Sequence, residues 1–520
     1  MPKIAIRDVR GGKNNRAPGN LIADNELQEN LNWEYTTTGG LKTRKGSSRY
    51  NAVAIGNGGA ITGMFLCKYA DGIRKWVASE GTGLYLDSSG SFSAIKTGLT
   101  SGQYVQMAML GNLAVFVNGK EAPQKYNGTT VAALGGTPPA DPSIIVSHRN
   151  HLFMAGASAN PFLITASAVN NPEDWTTAND SWNGYCGYQD GDPPIAFLSF
   201  ADTYLYVFKR QSIWRIIGST GNSSSANVFT PERVAGLTGS VSPFSIMNIG
   251  SDAFFYDIEG IKSLADTERA AGIEYPNLSF RIQDDLINLR TQNYNKFYAA
   301  NHKTKSQYWL AVSEIGESNN SKVIVLDYSL KTPGPEGLSL PAATVFQFTN
   351  PKYITSLAIM EASTGQDILY AGSSDGYIYQ LDTGTNDNGA AFVKRIRTKA
   401  YDMGQPDINK HYPWLMARIK QGASGTFTLT FKWTLDMDVE AGGSYDMSLV
   451  SSGTKWGPKK WSQFKWGTKL ISDKRIPLVA YGRALGQNIT FTLLNTKADE
   501  PIEIVELVLQ YYPWGELAAN

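Results

Sequence analysis

Histidine is the usual carrier of acid–base and metal chemistry, and this chain has four: His148, His151, His302 and His411. His148 and His151 stand three apart in SHRNH, a spacing that suits a metal pair. No third ligand type clusters near them, so the pair reads as a solvated turn. Asp284 and Asp285 are neighbouring carboxylates, but neighbours on a helix point different ways, and a solvated face is expected rather than a glycosidase pair. TNDNGA (residues 385–390) has the oxygen ligands of a weak calcium loop and reads as a linker. Cys67 and Cys186 lie far apart and form neither a disulfide framework nor a metal motif. No G-x-S-x-G nucleophile elbow, P-loop or H-E-x-x-H is read. The reading is therefore of no catalytic residue, no cofactor and no metal. One segment has chemistry of another kind. Residues 455–475 carry Lys455, Lys459, Lys460, Lys465, Lys469, Lys474 and Arg475 against the single acid Asp473, with Trp456, Trp461 and Trp466 every five residues. Such aromatics could stack nucleic-acid bases; the reading preferred is packing or a subunit interface, where Trp is a frequent anchor.

The elements that would hold these groups are short strands. Residues 191–264 say the same thing twice. An apolar strand (195–200; 245–249), a small polar turn, an aromatic strand (204–208; 253–256), a second turn and a third strand (213–216; 261–264) follow in order. A three-stranded meander repeated in tandem is the signature of a propeller blade. Similar units are read at 61–87, 105–128, 143–167, 297–348 and 353–382, giving about seven, with AGSSDGYIYQLD in the last unit close to ASEGTGLYLD in the first. SSDGYIYQL (373–381) resembles the Ser-x-Asp-x-Gly-x-x-Trp box of sialidase propellers but lacks its Trp, and is taken as a blade turn. A helix is expected around 277–293, with Ile282, Leu286 and Leu289 on one face.

The expected fold class is all-β: an extended N-terminal arm (1–51), a β-propeller (52–385) and a C-terminal antiparallel β-domain (391–520). In the arm, Asp24 is placed to cap a short helix, and Leu27, Leu31 and Trp33 offer it something to dock with, so they are candidate interface residues together with Trp456, Lys459, Lys460, Trp461 and Trp466. Residues 391–520 carry 17 Lys/Arg against 12 Asp/Glu (+5), and the preceding 390 carry 30 against 34 (−4). The overall charge of +1 argues against a dedicated nucleic-acid or membrane-surface binder. MPKIAIRDVRGGKNN lacks the apolar core of a signal peptide and no apolar run approaches about 18 residues, so a chain folded in the cytoplasm without a membrane anchor is expected.

Three stretches, taken together, resemble the tail hub or nozzle proteins of short-tailed phages, including the packaged-DNA stabilisation proteins. They are ENLNWEYTTTGGLKTRKGSSRY (29–50), the run from NNPEDW through both meanders (170–264), and RALGQNITFTLLNTKADEPIEIVELVLQYYPWG (483–515). The resemblance implies a structural virion protein. Its copies, most often six, would form a ring below the portal and its adaptor ring and meet tail fibre, spike or needle proteins. Packaged double-stranded DNA would pass through without being specifically bound. The alternative is a tail-associated propeller that binds or cleaves carbohydrate.

Overall fold

A computed structural model describes residues 2–513 apart from 177–179, 219–228, 271–276, 335–336, 363–364, 422–425, 439 and 451–470. Its frame is a β-propeller, with six self-contained blades. Blades 1 to 4 are four-stranded sheets at residues 61–96, 106–133, 144–185 and 196–236; blade 5 has three strands at 247–263. The closing blade combines Ile354–Glu361, Asp367–Ser373 and Ile378–Leu381 with a strand from far upstream, Ser47–Arg49. The position between blade 5 and the closing blade is filled by a meander (298–346) that is not self-contained: it is the start of a ten-stranded sheet. Seven units look alike in the sequence because each is a meander; what sets one apart is the partner of its last strand.

Period-2 alternation and tight turns make the blades. Arg149 and Asn150, at φ 47° and 60°, form a two-residue hairpin turn between the paired His148 and His151. Ser89 and Gly90, at φ 55° and 91°, do the same between Ser88 and Ser91. Apolar clusters fill the gaps between neighbouring sheets, as Val207 and Ile216 do against Phe153 and Ile164. The gap between the closing blade and blade 1 is packed in the same way by Ile61, Met64 and Ala78 against Met360 and Ile378, so the ring is closed. The expected helix is found as a 3₁₀ turn at Phe280–Ile282 running into Gln283–Ile287, with Ile282, Leu286 and Leu289 buried against blade 5 and the shared meander.

The C-terminal β-domain is a second hydrophobic core between two sheets. One sheet orders Ile471–Pro477, Lys410–Gln421, Ile502–Pro513, Leu41–Thr43 and Trp33–Tyr35, with Lys3–Ile6 also on Ile502–Pro513. The other continues the shared meander through Glu26–Leu31 into Lys394–Thr398, Ile489–Asn495, Thr426–Leu435 and Glu440–Val450. The N-terminal arm is extended, but it is docked along its length. Residues 24–32 do not form a capped helix: Glu26–Leu31 is a strand, because Lys394–Thr398 pairs with it antiparallel and Ser339–Phe346 touches it in parallel. Tertiary pairing overrides the local preference there.

A candidate binding cleft at the closing seam of the ring

The strand Ser47–Arg49 closes the ring by adding its edge to Ile378–Leu381, with Arg49 opposite Tyr379 and Ser47 opposite Leu381. The next residue, Tyr50, is pinned by its own N–H, which donates to the Ile378 carbonyl at 2.8 Å. Its ring then lies between two blades. The Tyr50 centroid is 4.7 Å from that of Trp76 in blade 1 and 5.4 Å from that of Tyr370 in the closing blade. Trp76 and Tyr370 are themselves 4.7 Å apart, and Phe92 meets the Trp76 edge at 5.9 Å. The four rings make one aromatic cluster, of which Tyr50, Trp76 and Tyr370 form a wall of the cleft between the blades.

Polar groups stand beside that wall. Tyr50 Oη donates to Asp87 Oδ2 at 2.8 Å, and Asp87 Oδ1 accepts the Gly90 N–H at 2.8 Å. A side chain at Gly90 would meet the Tyr50 carbonyl at 3.1 Å and would need a positive φ, so glycine keeps this turn close to the seam. Burial first, and then the bond to Asp87, raises the Tyr50 phenol well above its ordinary pKa, so it stays a donor. Across the seam Glu361 accepts Lys68 Nζ at 2.6 Å and pairs with Arg74 at 2.9 Å. The hydrogen bond from Lys68 is the main reason its carboxyl sits below the usual range. The walls enclose a cleft of about 380 Å³, with Leu66, Met360 and Ile368 supplying aliphatic lining and Ser88 and Ser89 polar lining.

The residues singled out in the sequence lie elsewhere. Leu27, Leu31 and Trp33 are 1%, 9% and 0% exposed. Leu27 and Trp33 are in the β-domain core, so they serve this chain's own packing and are not open to a partner. Trp456, Lys459, Lys460, Trp461 and Trp466 fall outside the described residues. His148 and His151 are not solvated: both are buried, at 2% and 0% exposure, because their hairpin packs against the next blade. His148 Nδ1 bonds Ser199 Oγ at 2.9 Å, and burial pushes its pKa down to about 4. Among the described residues no group of three or more His, Cys, Asp or Glu is placed to hold a metal. Asp285 is held by Lys13 at 2.6 Å, whereas its neighbour Asp284 is exposed. In the 385–390 linker, Asp387 is fully buried in a bidentate pair with Arg44, both bonds 2.9 Å. Residues 372–376, GSSDG, have the spacing of a hydrolase nucleophile elbow, yet they form a hairpin turn between strands and not the strand-to-helix turn that exposes a nucleophile. Cys67 and Cys186 are buried free thiols, pushed by burial up to about 12 and so unreactive.

Sequence reasoning missed the seam because its residues are scattered from Tyr50 to Tyr370. The one signal was the likeness of 371–382 to 78–87: these segments belong to blades that become neighbours only when the ring closes.

No family model and no curated protein matches the chain. Solved propellers overlap it at low identity. YCF48 from Cyanidioschyzon merolae is 9% identical over 64% of this chain and 98% of that one, with a TM-score of 0.39. BamB from Moraxella catarrhalis is 11% identical over 72% and 98%, at 0.36. An exo-beta-1,3-galactanase from Phanerochaete chrysosporium is 9% identical over 90% and 100%, at 0.26. Likeness at this level carries nothing about ligand or activity.

Proposed function

We propose that this protein is a structural subunit of a short-tailed phage tail, a hub or nozzle whose copies form a ring through which packaged double-stranded DNA passes. The observation that carries the reading is where the three resembling stretches lie in the fold. Residues 29–50 contain strands of both β-domain sheets and the strand that closes the ring. Residues 483–515 supply Ile489–Asn495 and Ile502–Pro513, central strands of the two β-domain sheets. Residues 170–264 include blades 4 and 5. Two of the three stretches thus fall on the frame that binds propeller to β-domain and the third on the blades themselves, as suits a part whose task is to hold shape under load. The near-neutral charge fits a wall that DNA slides past, since each phosphate neutralised by Lys or Arg strengthens binding and would slow exit.

The test is assembly. The purified full chain, imaged by negative stain and weighed by light scattering with and without the adaptor-ring protein that this reading implies, is expected to give closed rings of about six copies around a central bore. A chain that stays monomeric at every concentration, with and without that adaptor, overturns the reading.

A further inference from the structure

We propose that the cleft at the closing seam binds a neutral saccharide unit, stacked on Trp76 and Tyr50 and held at its rim by Asp87, Glu361 and Arg74. The site is independent of the tail reading: it rests on the cleft alone. Its volume of about 380 Å³ lies toward the low end of the ~300–1,000 Å³ range of small-molecule sites, which suits one or two sugar rings.

Three ligand classes suit an aromatic wall beside carboxylates, and the distances separate them. A quaternary ammonium needs ring faces that stand apart and converge on one point, so that the cation lies between them. Here the Tyr50, Trp76 and Tyr370 centroids are only 4.7–5.4 Å apart. The rings pack on one another at interplanar angles of 41°, 51° and 74°, leaving no gap for a cation; Tyr50 and Trp76 are half-buried, and each offers the cleft part of one ring rather than a cage. A nucleotide base would stack on an open ring as well, but its phosphate would then meet the Asp87 carboxylate, whose partners are neutral, beside a Glu361 that already holds both nearby cations. Arg74 in the cleft wall and Lys68 beside it are both already paired with Glu361. A sugar ring has what remains: an apolar C–H face for the open part of Trp76 or Tyr50, and neutral hydroxyls that both donate and accept. Asp87 and Glu361 accept from hydroxyls, Arg74 donates to them, and Ser88 and Ser89 do either. Asp87 suits this role further because its partners are neutral donors, Tyr50 Oη and the Gly90 N–H; they orient the carboxylate without neutralising it.

The experiment titrates the full chain with a panel of neutral mono- and disaccharides (glucose, galactose, rhamnose, N-acetylglucosamine, maltose and cellobiose). Binding is read by saturation-transfer NMR and calorimetry, with tetramethylammonium and AMP as the competing probes. At least one sugar is expected to bind in the millimolar range or tighter, and more tightly than either probe. Trp76→Ala is expected to weaken that sugar by about tenfold or more, as loss of a stacking anchor does. Because Trp76 also packs in the seam, Arg74→Ala at the exposed rim and the near-isosteric Asp87→Asn are measured beside it. Each is expected to weaken binding about threefold to tenfold, at an unchanged melting temperature. No binding by any sugar of the panel, equal binding by wild type and all three variants, or tighter binding of tetramethylammonium or AMP would each overturn the proposal.

Discussion

A buried histidine is a proton trap that folding keeps shut. His148 touches Ser199 Oγ at 2.9 Å and lies 3.6 Å from Asp202, an exposed carboxylate that pulls its pKa up. Desolvation pulls the other way and wins, so the folded value falls from 6.5 to about 4. Between these limits the unfolded chain binds a proton that the folded chain refuses. The neutral imidazole's contribution is therefore complete above about pH 6.5 and is lost as pH falls toward 4. The size of the effect is about 3 kcal/mol. His148→Gln retains a polar contact for Ser199 and has no such proton to gain. Urea melts at pH 7 and pH 4.5 are expected to show the variant losing less stability than the wild type across that interval. Equal losses would place the acid sensitivity elsewhere. The sequence showed both histidines and the turn between them, but not their burial, since burial is decided by the neighbouring blade and not by SHRNH itself.

At the scale of elements, the closing strand has the largest effect for its length. Ser47–Arg49 is three residues long, yet it covers the open edge of Ile378–Leu381 and delivers Tyr50 to the seam. An uncovered edge is an invitation to aggregate. Ser48 faces solvent, so a substitution there acts through the backbone alone. Ser48→Pro removes an N–H from the ladder and is expected to cost about 1–3 kcal/mol, with Ser48→Thr near neutral. The check is thermal unfolding together with sugar binding, since a loosened Tyr50 should weaken both. A proline variant as stable as the wild type would show that the ring closes without this strand. Much of the propeller could be read in advance because a meander is local: its alternation, its turns and the aromatic middle strand lie within some 25 residues, as in 195–216 and 245–264. The closing strand could not, because SSR carries no pattern of its own. Nor could Glu26–Leu31, whose polar, helix-compatible residues become a strand only when Lys394–Thr398, hundreds of residues later, arrives beside them.

Over the whole molecule, the propeller and the β-domain are joined by more than a linker. They share the ten-stranded sheet, in which the Asn32 N–H donates to the Val345 carbonyl at 2.9 Å and Thr344 Oγ1 donates to the Trp33 carbonyl at 2.9 Å. The joint is fixed by Arg44, whose guanidinium reaches Asp387 in the 385–390 linker, Asn32 Oδ1 at 2.7 Å and the Gln347 carbonyl at 2.9 Å. It also lies 4.0 and 3.8 Å from the ring centres of Phe348 and Phe392. Arg44 and Asp387 are both shut off from solvent, so neither charge can fall back on water if the other is removed. Breaking such a pair on one side typically costs about 3–5 kcal/mol. Asp387→Asn is accordingly expected to lower stability by that amount, and the double change Arg44→Met with Asp387→Leu to recover part of it. Because the pair belongs to both cores, calorimetry of the wild type should give one transition, and in Asp387→Asn that single transition should move as a whole. Two separate transitions, of which only one moves, would mean that the ring and the β-domain fold independently and that the shared sheet couples them too weakly to act as one block.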